Sequence, residues 1–367
     1  MIPNSKSKTV IRGTTKKSIS KKSKTILKDI RKPELCLKRS IDKLIISPNP
    51  ENSWEAWQTF NPAAILIKNK IHFLYRAIGD NWLSSLGYAN SYDGFKINRR
   101  LPYAVYQHLT VSEPYKYYSF ASGGSWGGCE DPRIVRVGNE NKLYLTYTAC
   151  DSGLRMGISS IKLNDFLNER WNWSKARLIS PPNEVHKNWV IFPEKINNKY
   201  AILHSINPKI LIAYVDSLDF KKGEYINSKF IGKTNKRRWD SNLRGSGPPP
   251  IKTKDGWLVL YHANDYRENW KYKVGAMLLD IKNPEKVICR SKQPILEPEG
   301  DYEMYGSKPG IVYASGAIVK DGRLIIYYGG ADNYVCVAHT NLNKFLKALK
   351  EGKKKKLKTE ILKRKVK

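Results

Sequence analysis

The chain has 367 residues, of which 41% are hydrophobic and 11% aromatic, enough to bury a sizeable core in one large or two ordinary domains. Its net charge of +32 suggests nucleic acid until it is divided up: residues 1–40 hold 13 Lys and Arg against Asp29 and Glu34, residues 341–367 hold 12 against Glu351 and Glu360, and the two ends supply 21 of the 32 charges. Neither end interleaves aromatics with its cations, which argues against base stacking, and no apolar run is long enough for a membrane span or a secretory signal.

Residues 1–40, with Lys16-Lys17 and Lys21-Lys22, read as a basic, disordered tail that could meet polyanions through counterion release. Leu35 to Ile46 predicts a short helix or strand, broken at Pro48-Asn49-Pro50. A repeat then begins. Asn61-Pro62-Ala63-Ala64-Ile65-Leu66-Ile67, a turn at Lys68-Asn69-Lys70, Ile71 to Ala77, and Leu86 to Ser91 read as strand, tight turn, strand, loop, strand. The same grammar returns at Asp131-Pro132-Arg133 with Leu143 to Ala149, at Phe192-Pro193-Glu194 with Tyr200 to His204, at Pro249-Pro250 with Trp257 to Ala263, and at Pro309 with Leu324 to Gly330. Each unit sets a proline at or before its first strand and an Asn/Gly-type turn before its second.

Five such units predict an all-β, five-bladed β-propeller over residues 41–345, flanked by the basic extension 1–40 and a Lys-rich tail at 346–367, with a two-sheet sandwich as the alternative. First strands of a propeller line its channel, which would gather Asn61, Asp131, Glu194 and Lys308 about one cavity, joined by Arg76, His204 and His262. The densest chemistry is Gly127-Gly128-Cys129-Glu130-Asp131-Pro132-Arg133, which follows the small residues Ser122-Gly123-Gly124-Ser125. Neighbours on a strand face opposite sides, so Glu130 and Asp131 are expected to look different ways, one a working group and the other its partner. A surface turn is the plainer alternative.

Carboxylates, cations, a histidine and aromatics around a polar funnel suit a polyhydroxylated substrate. Cleaving a glycosidic bond needs a proton for the leaving oxygen, from a carboxyl of raised pKa or through a sugar hydroxyl held against Asp131. An ordinary Asp is protonated in about one molecule in a thousand at pH 7. The nucleophile is then water, activated by a second carboxylate, or inorganic phosphate held by cations.

Phe60-Asn61-Pro62-Ala63, Tyr75-Arg76-Ala77, Gly128-Cys129-Glu130-Asp131-Pro132-Arg133-Ile134, Phe192-Pro193-Glu194-Lys195-Ile196, Gly247-Pro248-Pro249-Pro250, Gly256-Trp257-Leu258 with Tyr261-His262, and Tyr328-Gly329-Gly330-Ala331-Asp332 resemble glycoside hydrolase family 130. That family comprises the β-mannoside phosphorylases and their hydrolytic relatives. The resemblance implies a five-bladed propeller and an inverting mechanism in which Asp131 is the general acid, its proton passing through a mannosyl hydroxyl. It further implies substrate contacts from Asn61, Arg76, Glu130, Arg133 and Asp332, phosphate contacts from Lys187, Arg244, His262 and Tyr272, and no cofactor beyond phosphate as co-substrate. Phosphorylases usually carry an arginine where this chain reads His204-Ser205-Ile206-Asn207-Pro208, so His204 or Arg155 would have to substitute.

Phosphorolysis releasing mannose 1-phosphate is the favoured reading. An inverting hydrolase would instead use Glu194 or Glu303 as base, although both also read as substrate or structural contacts. A silent glycan-binding propeller, or a scaffold docked by its basic tails on nucleic acid or membrane, belongs to other classes. Trp54, Trp57, Trp82 and Trp126 are candidates for sugar stacking or rim packing, and the insertion from Asn164 to Pro182, with Trp171 and Trp173, for a helix or lid. The five cysteines Cys36, Cys129, Cys150, Cys289 and Cys336 form no C-x-x-C pair, which points to a reducing, cytoplasmic compartment. His186 and His339 lack companions at metal-ligand spacing, so no metal ligands are expected, and a homo-oligomer is compatible with the sequence.

Overall fold

The computed structural model describes residues 35, 37–108, 124–150, 153–228 and 238–352, with the side chains of 41–43 excepted. The expected basic tail over 1–34, the lysine run 353–367, Cys36 and the small-residue stretch Ser122-Gly123 lie outside the described residues. What is described is mostly strand, with short α-helices at Leu163–Leu167 and Asp301–Met304 and a further helical stretch over 342–352. No helix among these residues is long and apolar enough to cross a membrane.

The five sequence units become five antiparallel modules. The first is Gln58–Ile67, Lys70–Ile78 and Leu83–Ser91, edged by Arg99–Arg100 and Tyr106–Gln107. The second is Gly127–Val135, Lys142–Cys150, Leu154–Lys162 and Arg177–Leu178, and a parallel contact of Leu83 with Gly127 and Ser84 with Gly128 joins these two into one nine-stranded sheet. The third is Val190–Ile191, Tyr200–Ser205 and Leu211–Val215. The fourth pairs Asn242–Ser246 and Ile251–Thr253 with Gly256–Asp265, followed by Glu268–Leu279 and Val287–Arg290. The fifth is Val312–Lys320, Arg323–Gly330 and Tyr334–Asn341, and its outer edge is taken by Lys38–Ile46 from the other end of the chain.

Local chemistry accounts for the repetition. Two-residue hairpins of the favoured twist need positive φ at both central residues, and the expected turns supply it: Lys68 (47°) and Asn69 (63°), Asn197 (51°) and Asn198 (62°), Asp321 (49°) and Gly322 (70°). In the first, second and fourth modules a second-strand tyrosine faces a third-strand glycine, as Tyr75 with Gly87, Tyr147 with Gly157 and Tyr261 with Gly275. A methyl group at those glycines would lie 2.3–2.4 Å from the ring, so each ring lies flat over bare backbone.

Five apolar clusters fill the space between modules. They lie between first and second (Leu74, Leu86, Leu145, Tyr147), second and third (Met156, Ile158, Trp189, Ile202), third and fourth (Phe192, Leu203, Trp257, Val259), fourth and fifth (Leu260, Leu278, Ile326, Tyr328), and fifth and first (Ile325, Tyr327, Phe73, Ala77). The folded unit is wider than expected at both ends. The strand Lys38–Ile46 begins before residue 41, and residues 342–352 are helical, with Leu346 and Leu349 each 1% exposed against the cluster of the fourth and fifth modules. The insertion after Asn164 forms one helical turn and then packs Trp171 and Trp173 beside the cluster of the first two modules, where Trp173 Nε1 donates to the Val105 carbonyl at 3.0 Å. It is rim packing.

Glu303 ties the N-terminal strand down. Its buried carboxylate accepts from Arg39 Nε (2.8 Å) and Nη2 (2.9 Å), Tyr328 Oη (2.7 Å), and the Glu299 (2.8 Å) and Gly300 (3.0 Å) amides. Glu303→Ala, which takes the acceptor from Tyr328 Oη and the Glu299 and Gly300 amides and leaves Arg39 only Glu299 and the Glu297 carbonyl, is expected to lower unfolding stability by about 3 kcal/mol, and the double variant Arg39→Met/Glu303→Leu to recover a large part of it. Denaturant midpoints of the two variants check this.

Candidate active site

The first strands of the first two modules carry the same defect. Phe60 opposes Arg76 and Ala63 opposes Leu74, while Glu130 opposes Thr148 and Arg133 opposes Thr146, so one extra residue bulges at Asn61-Pro62 and at Asp131-Pro132. Asn61 (φ 44°) and Asp131 (φ 48°) sit in the left-handed region, which Asn and Asp tolerate better than other L-residues. The bulges aim both side chains at one point. Asn61 Nδ2 donates to Asp131 Oδ1 at 2.8 Å, and Arg76 Nη1 meets the same oxygen at 3.2 Å.

The bulge also overturns the expectation that Glu130 and Asp131 face opposite ways. Arg76 Nη2 reaches Glu130 Oε1 at 3.2 Å, so the two neighbouring carboxylates share one guanidinium. Alternation holds for a regular strand, and an extra residue at a positive φ breaks it. Arg76 is itself fixed: Nε donates to Ser84 Oγ at 2.8 Å, Nη2 to Ser125 Oγ at 3.2 Å, and the group lies 4.6 Å from the Phe60 ring centroid. Lys187 Nζ approaches the other oxygen of Glu130 at 3.2 Å.

Arg133, expected at the substrate, is occupied by protein acceptors. It donates to the Asp131 carbonyl, to the Gly247 carbonyl (3.1 Å), to Asn188 Oδ1 (3.0 Å) and to Tyr313 Oη (3.0 Å), and so holds the Asp131 peptide in place. Asn188 extends the network, since its Nδ2 donates to the Arg244 carbonyl at 3.0 Å and its Oδ1 accepts from Tyr313 Oη. Tyr313 stacks on His262 with centroids 3.8 Å apart and planes 15° from parallel. His262 Nε2 lies 2.8 Å from the Ala314 carbonyl, which only accepts, so that nitrogen carries the proton. Its buried Nδ1 has no protein partner. The Arg244 side chain is exposed and covers the Tyr272 ring at 5.5 Å.

Electrostatics separate the two aspartates. Burial alone would raise the Asp131 carboxyl, but Arg76, Arg133, Lys187 and the Asn61 hydrogen bond outweigh it and hold the group well below the usual carboxylate range. Of the two routes expected for the proton, a raised carboxyl or a sugar hydroxyl held against Asp131, the first does not fit the resting site, because the neighbours of Asp131 are cations. Asp332, at φ 52° in the turn after the strand Arg323–Gly330, is the raised one. Burial pushes it up to about 6, against the pull of Lys308 (3.9 Å away) and Arg76. Burial lowers both the Lys308 ammonium and the His262 imidazole, the latter to about 3, so His262 is neutral at pH 7.

The structure thus brings together Asn61, Arg76, Glu130, Asp131, Arg133, Lys187, Arg244, His262, Tyr272 and Asp332. Glu194 stands apart, paired with Lys252 where both side chains are about half exposed. It follows its proline, whereas Asn61, Asp131 and Lys308 precede theirs, and the residue before Pro193 is the core Phe192. His204 and Arg155 are also spent elsewhere, on Ser228 Oγ (2.8 Å) and the Ser180 carbonyl (3.1 Å). Sequence reasoning missed Asn188, Tyr313, Ser84 and Ser125. Asn188 carried a usable signal, a lone Asn between Lys187 and an apolar strand, where a positive φ (66° here) is tolerated.

A carboxyl whose folded pKa exceeds its unfolded one weakens the fold as it ionises, so stability is greatest below the ordinary carboxylate range and declines as pH rises to about 6. Asp332→Asn removes that term. The variant should be more stable than wild type at pH 7–8 by up to about 3 kcal/mol, with the difference vanishing below pH 4. Denaturant unfolding across pH measures it, and a pH-independent difference would contradict the assignment.

The sequence model of glycoside hydrolase family 130, described as beta-1,4-mannooligosaccharide phosphorylase, matches residues 38–351. A 1,2-beta-oligomannan phosphorylase of Thermoanaerobacter sp. is 38% identical over 313 residues, covering 82% of this chain and 96% of that protein. A beta-1,2-mannobiose phosphorylase of Listeria innocua is 32% identical over 278 residues, covering 74% of this chain and 71% of that one. Among solved structures, a glycosyl hydrolase from Bacteroides ovatus superposes with a TM-score of 0.69 at 26% identity, covering 84% of this chain and 94% of that chain. The chain belongs to glycoside hydrolase family 130.

Proposed function

We propose that the protein cleaves terminal β-mannosidic bonds by inverting phosphorolysis, with β-1,2-linked oligomannan as substrate and mannose 1-phosphate as product. The carrying observation is the charge balance of the site. Arg76, Arg133, Lys187 and Lys308 surround Glu130, Asp131 and Asp332, a surplus of one positive charge with all groups ionised, which suits an incoming phosphate anion. Hydrolysis would need a free carboxylate base, and both glutamates considered for it are engaged, Glu194 at the surface with Lys252 and Glu303 with Arg39 and Tyr328. The β-1,2 linkage is favoured because relatives at 38% and 32% identity bear that name.

Five modules in chain order, apolar clusters between each and the next, the last cluster joining fifth to first, and the N-terminal strand pairing on the fifth module together support a five-bladed propeller. Its first strands would face the shared channel. Four buried free thiols, Cys129, Cys150, Cys289 and Cys336, support a reducing, cytoplasmic setting.

The chemistry follows from who holds the cations. In the resting site the cations draw Asp131 into its ionised form. Phosphate entering beside Lys187 and Arg244 competes for that field, so the pKa of Asp131 rises as the ligand binds. A phosphate oxygen attacks the anomeric carbon opposite the leaving oxygen, the glycosidic C–O bond breaks, and the proton given up by hydrogen phosphate is returned through Asp131 and a mannosyl hydroxyl to the leaving oxygen. Asn61 and Arg76 fix the carboxylate, and Asp332, close to half ionised near pH 6, accepts from sugar hydroxyls. Neutral His262 offers its unpartnered Nδ1 to a P–OH or sugar O–H.

With β-1,2-mannobiose and phosphate the protein should release mannose 1-phosphate, read by phosphorus NMR; free mannose at the same rate without phosphate would replace phosphorolysis by hydrolysis. Asp131→Asn should lower kcat by about 10²–10⁴-fold. Arg244→Ala should raise the KM for phosphate about tenfold or more while the mannoside KM moves less than about twofold. Equal changes in both constants would remove Arg244 from the phosphate site.

A further inference from the structure

Trp57, Trp82 and Trp126 come from three separate loops and stack as a ladder. The Trp57 and Trp82 centroids are 5.9 Å apart at 18°, and those of Trp82 and Trp126 are 6.2 Å apart at 21°. The ladder is held open to solvent: Trp57 is 54% and Trp82 38% exposed, whereas Trp54 is packed into the core and hydrogen-bonds the Pro102 carbonyl. Two features show that the arrangement is built. Trp57 Nε1 is pinned to Asp80 Oδ1 at 2.8 Å, and the Trp126 amide donates to the Trp82 carbonyl at 2.8 Å. Trp82 itself holds φ 55°, a conformation that a bulky L-residue rarely adopts and that the surroundings must enforce.

Each rung adjoins a residue of the site. Trp57 precedes Gln58, whose Nε2 donates to the Asp332 carbonyl at 3.0 Å. Trp82 lies two residues before Ser84, which holds Arg76 Nε, and Trp126 follows Ser125, which contacts both Arg76 and Glu130. The rungs are at the surface, while Arg76, Glu130 and Asp131 are at most 5% exposed. The ladder therefore stands at the surface directly beside the buried Arg76, Glu130 and Asp131 cluster. From Trp126 to Asp131 the strand runs up to about 17 Å, so cluster and ladder are met together by a chain and not by one ring.

We infer that this tryptophan ladder is a binding platform for the distal units of an oligomannan chain, setting a preference for long substrates over the disaccharide. The apolar C–H face of a pyranose lies flat on an indole while its hydroxyls stay in water, and Trp57, the most exposed ring of the stack, offers that surface with Trp82 and Trp126 holding it in place. Rings with ready-made stacking lose little side-chain freedom on binding. This inference rests on the mannoside-cleaving reading and deepens it.

The test compares β-1,2-mannobiose with β-1,2-mannopentaose on wild type, Trp57→Ala and Trp57→Phe. Trp57→Ala should lose about tenfold in kcat/KM on the pentaose, through KM, with less than a twofold change on mannobiose, and Trp57→Phe should restore most of the loss. Equal losses on both lengths, or none on either, would overturn the platform. Calorimetric titration of each sugar without turnover keeps the two readings apart. If wild type cleaves neither sugar, the proposed function fails, yet tighter binding of pentaose than mannobiose that disappears in Trp57→Ala still supports the ladder, and indifference to length still refutes it.

Discussion

A buried carboxylate must be compensated, and in this fold the compensation of Asp131 by Arg76 decides most of what surrounds it. Both groups are within 5% of full burial, where an unpaired charge would be prohibitive and the pair survives only with its other hydrogen bonds satisfied. Arg76 is therefore braced by Ser84, Ser125 and the Phe60 ring, and Asp131 by Asn61 through the side chain and Arg133 through the carbonyl. Even the fifth module is shaped by this pair. At Gly329 an added methyl would fall 2.0 Å from Asn61 Oδ1, so the second residue of Tyr328-Gly329-Gly330-Ala331-Asp332 has to be bare for Asn61 to reach Asp131.

The same compensation separates the roles of two aspartates that look alike in sequence. Asp131 has two guanidiniums and an ammonium and stays ionised. Asp332 is equally buried, but its nearest cation, Lys308, is 3.9 Å away and itself weakened by burial. A ligand that brings its own negative charge redistributes this field. On the proposed phosphorolysis, phosphate would relieve the hold on Asp131, which makes an ionised resting carboxylate compatible with proton delivery later in the reaction. A site tuned for water would gain nothing from that exchange.

What was legible in the sequence is what depends on local rules. The hairpin turns at Lys68-Asn69, Asn197-Asn198 and Asp321-Gly322 follow from residues that tolerate positive φ, and five proline-first units follow from counting. Asn61, Arg76 and Asp131, which meet at one point, sit at repeated positions or in specific motifs. What departs from the pattern has a local cause. Alternation along a regular strand sends Glu130 and Asp131 to opposite faces and the bulge cancels it, while Glu194 follows its proline instead of preceding it and pairs with Lys252 at the surface. The partners Asn188, Tyr313 and Ser125 come from other modules or from the loop before the strand, and their contacts belong to how modules meet, which local pattern does not encode. The tuning of Asp131 is likewise beyond local pattern, since three of its four stabilising neighbours lie outside its own module.

Repetition explains why one site can be assembled from such distant residues. The position before the proline recurs as Asn61 in the first module, Asp131 in the second and Lys308 in the fifth, and at each the side chain reaches the common cluster. The third module puts Phe192 there and the fourth a proline, Pro248 or Pro249, so at this one position these two contribute packing and, through the adjacent Gly247, a carbonyl for Arg133, while their site residues, such as Lys187 and His262, come from elsewhere. One backbone geometry thus presents an amide, a carboxylate, an ammonium or an apolar group according to a single residue choice per module. The bulge that supplies this geometry requires positive φ in the two modules where the side chain must turn furthest, and Asn and Asp are the residues that tolerate it. The chemistry of the site and the conformational demand of the strand are therefore met by the same two side chains. Exchanging either for a residue of equal polarity but lower tolerance for that φ would disturb the architecture along with the reaction.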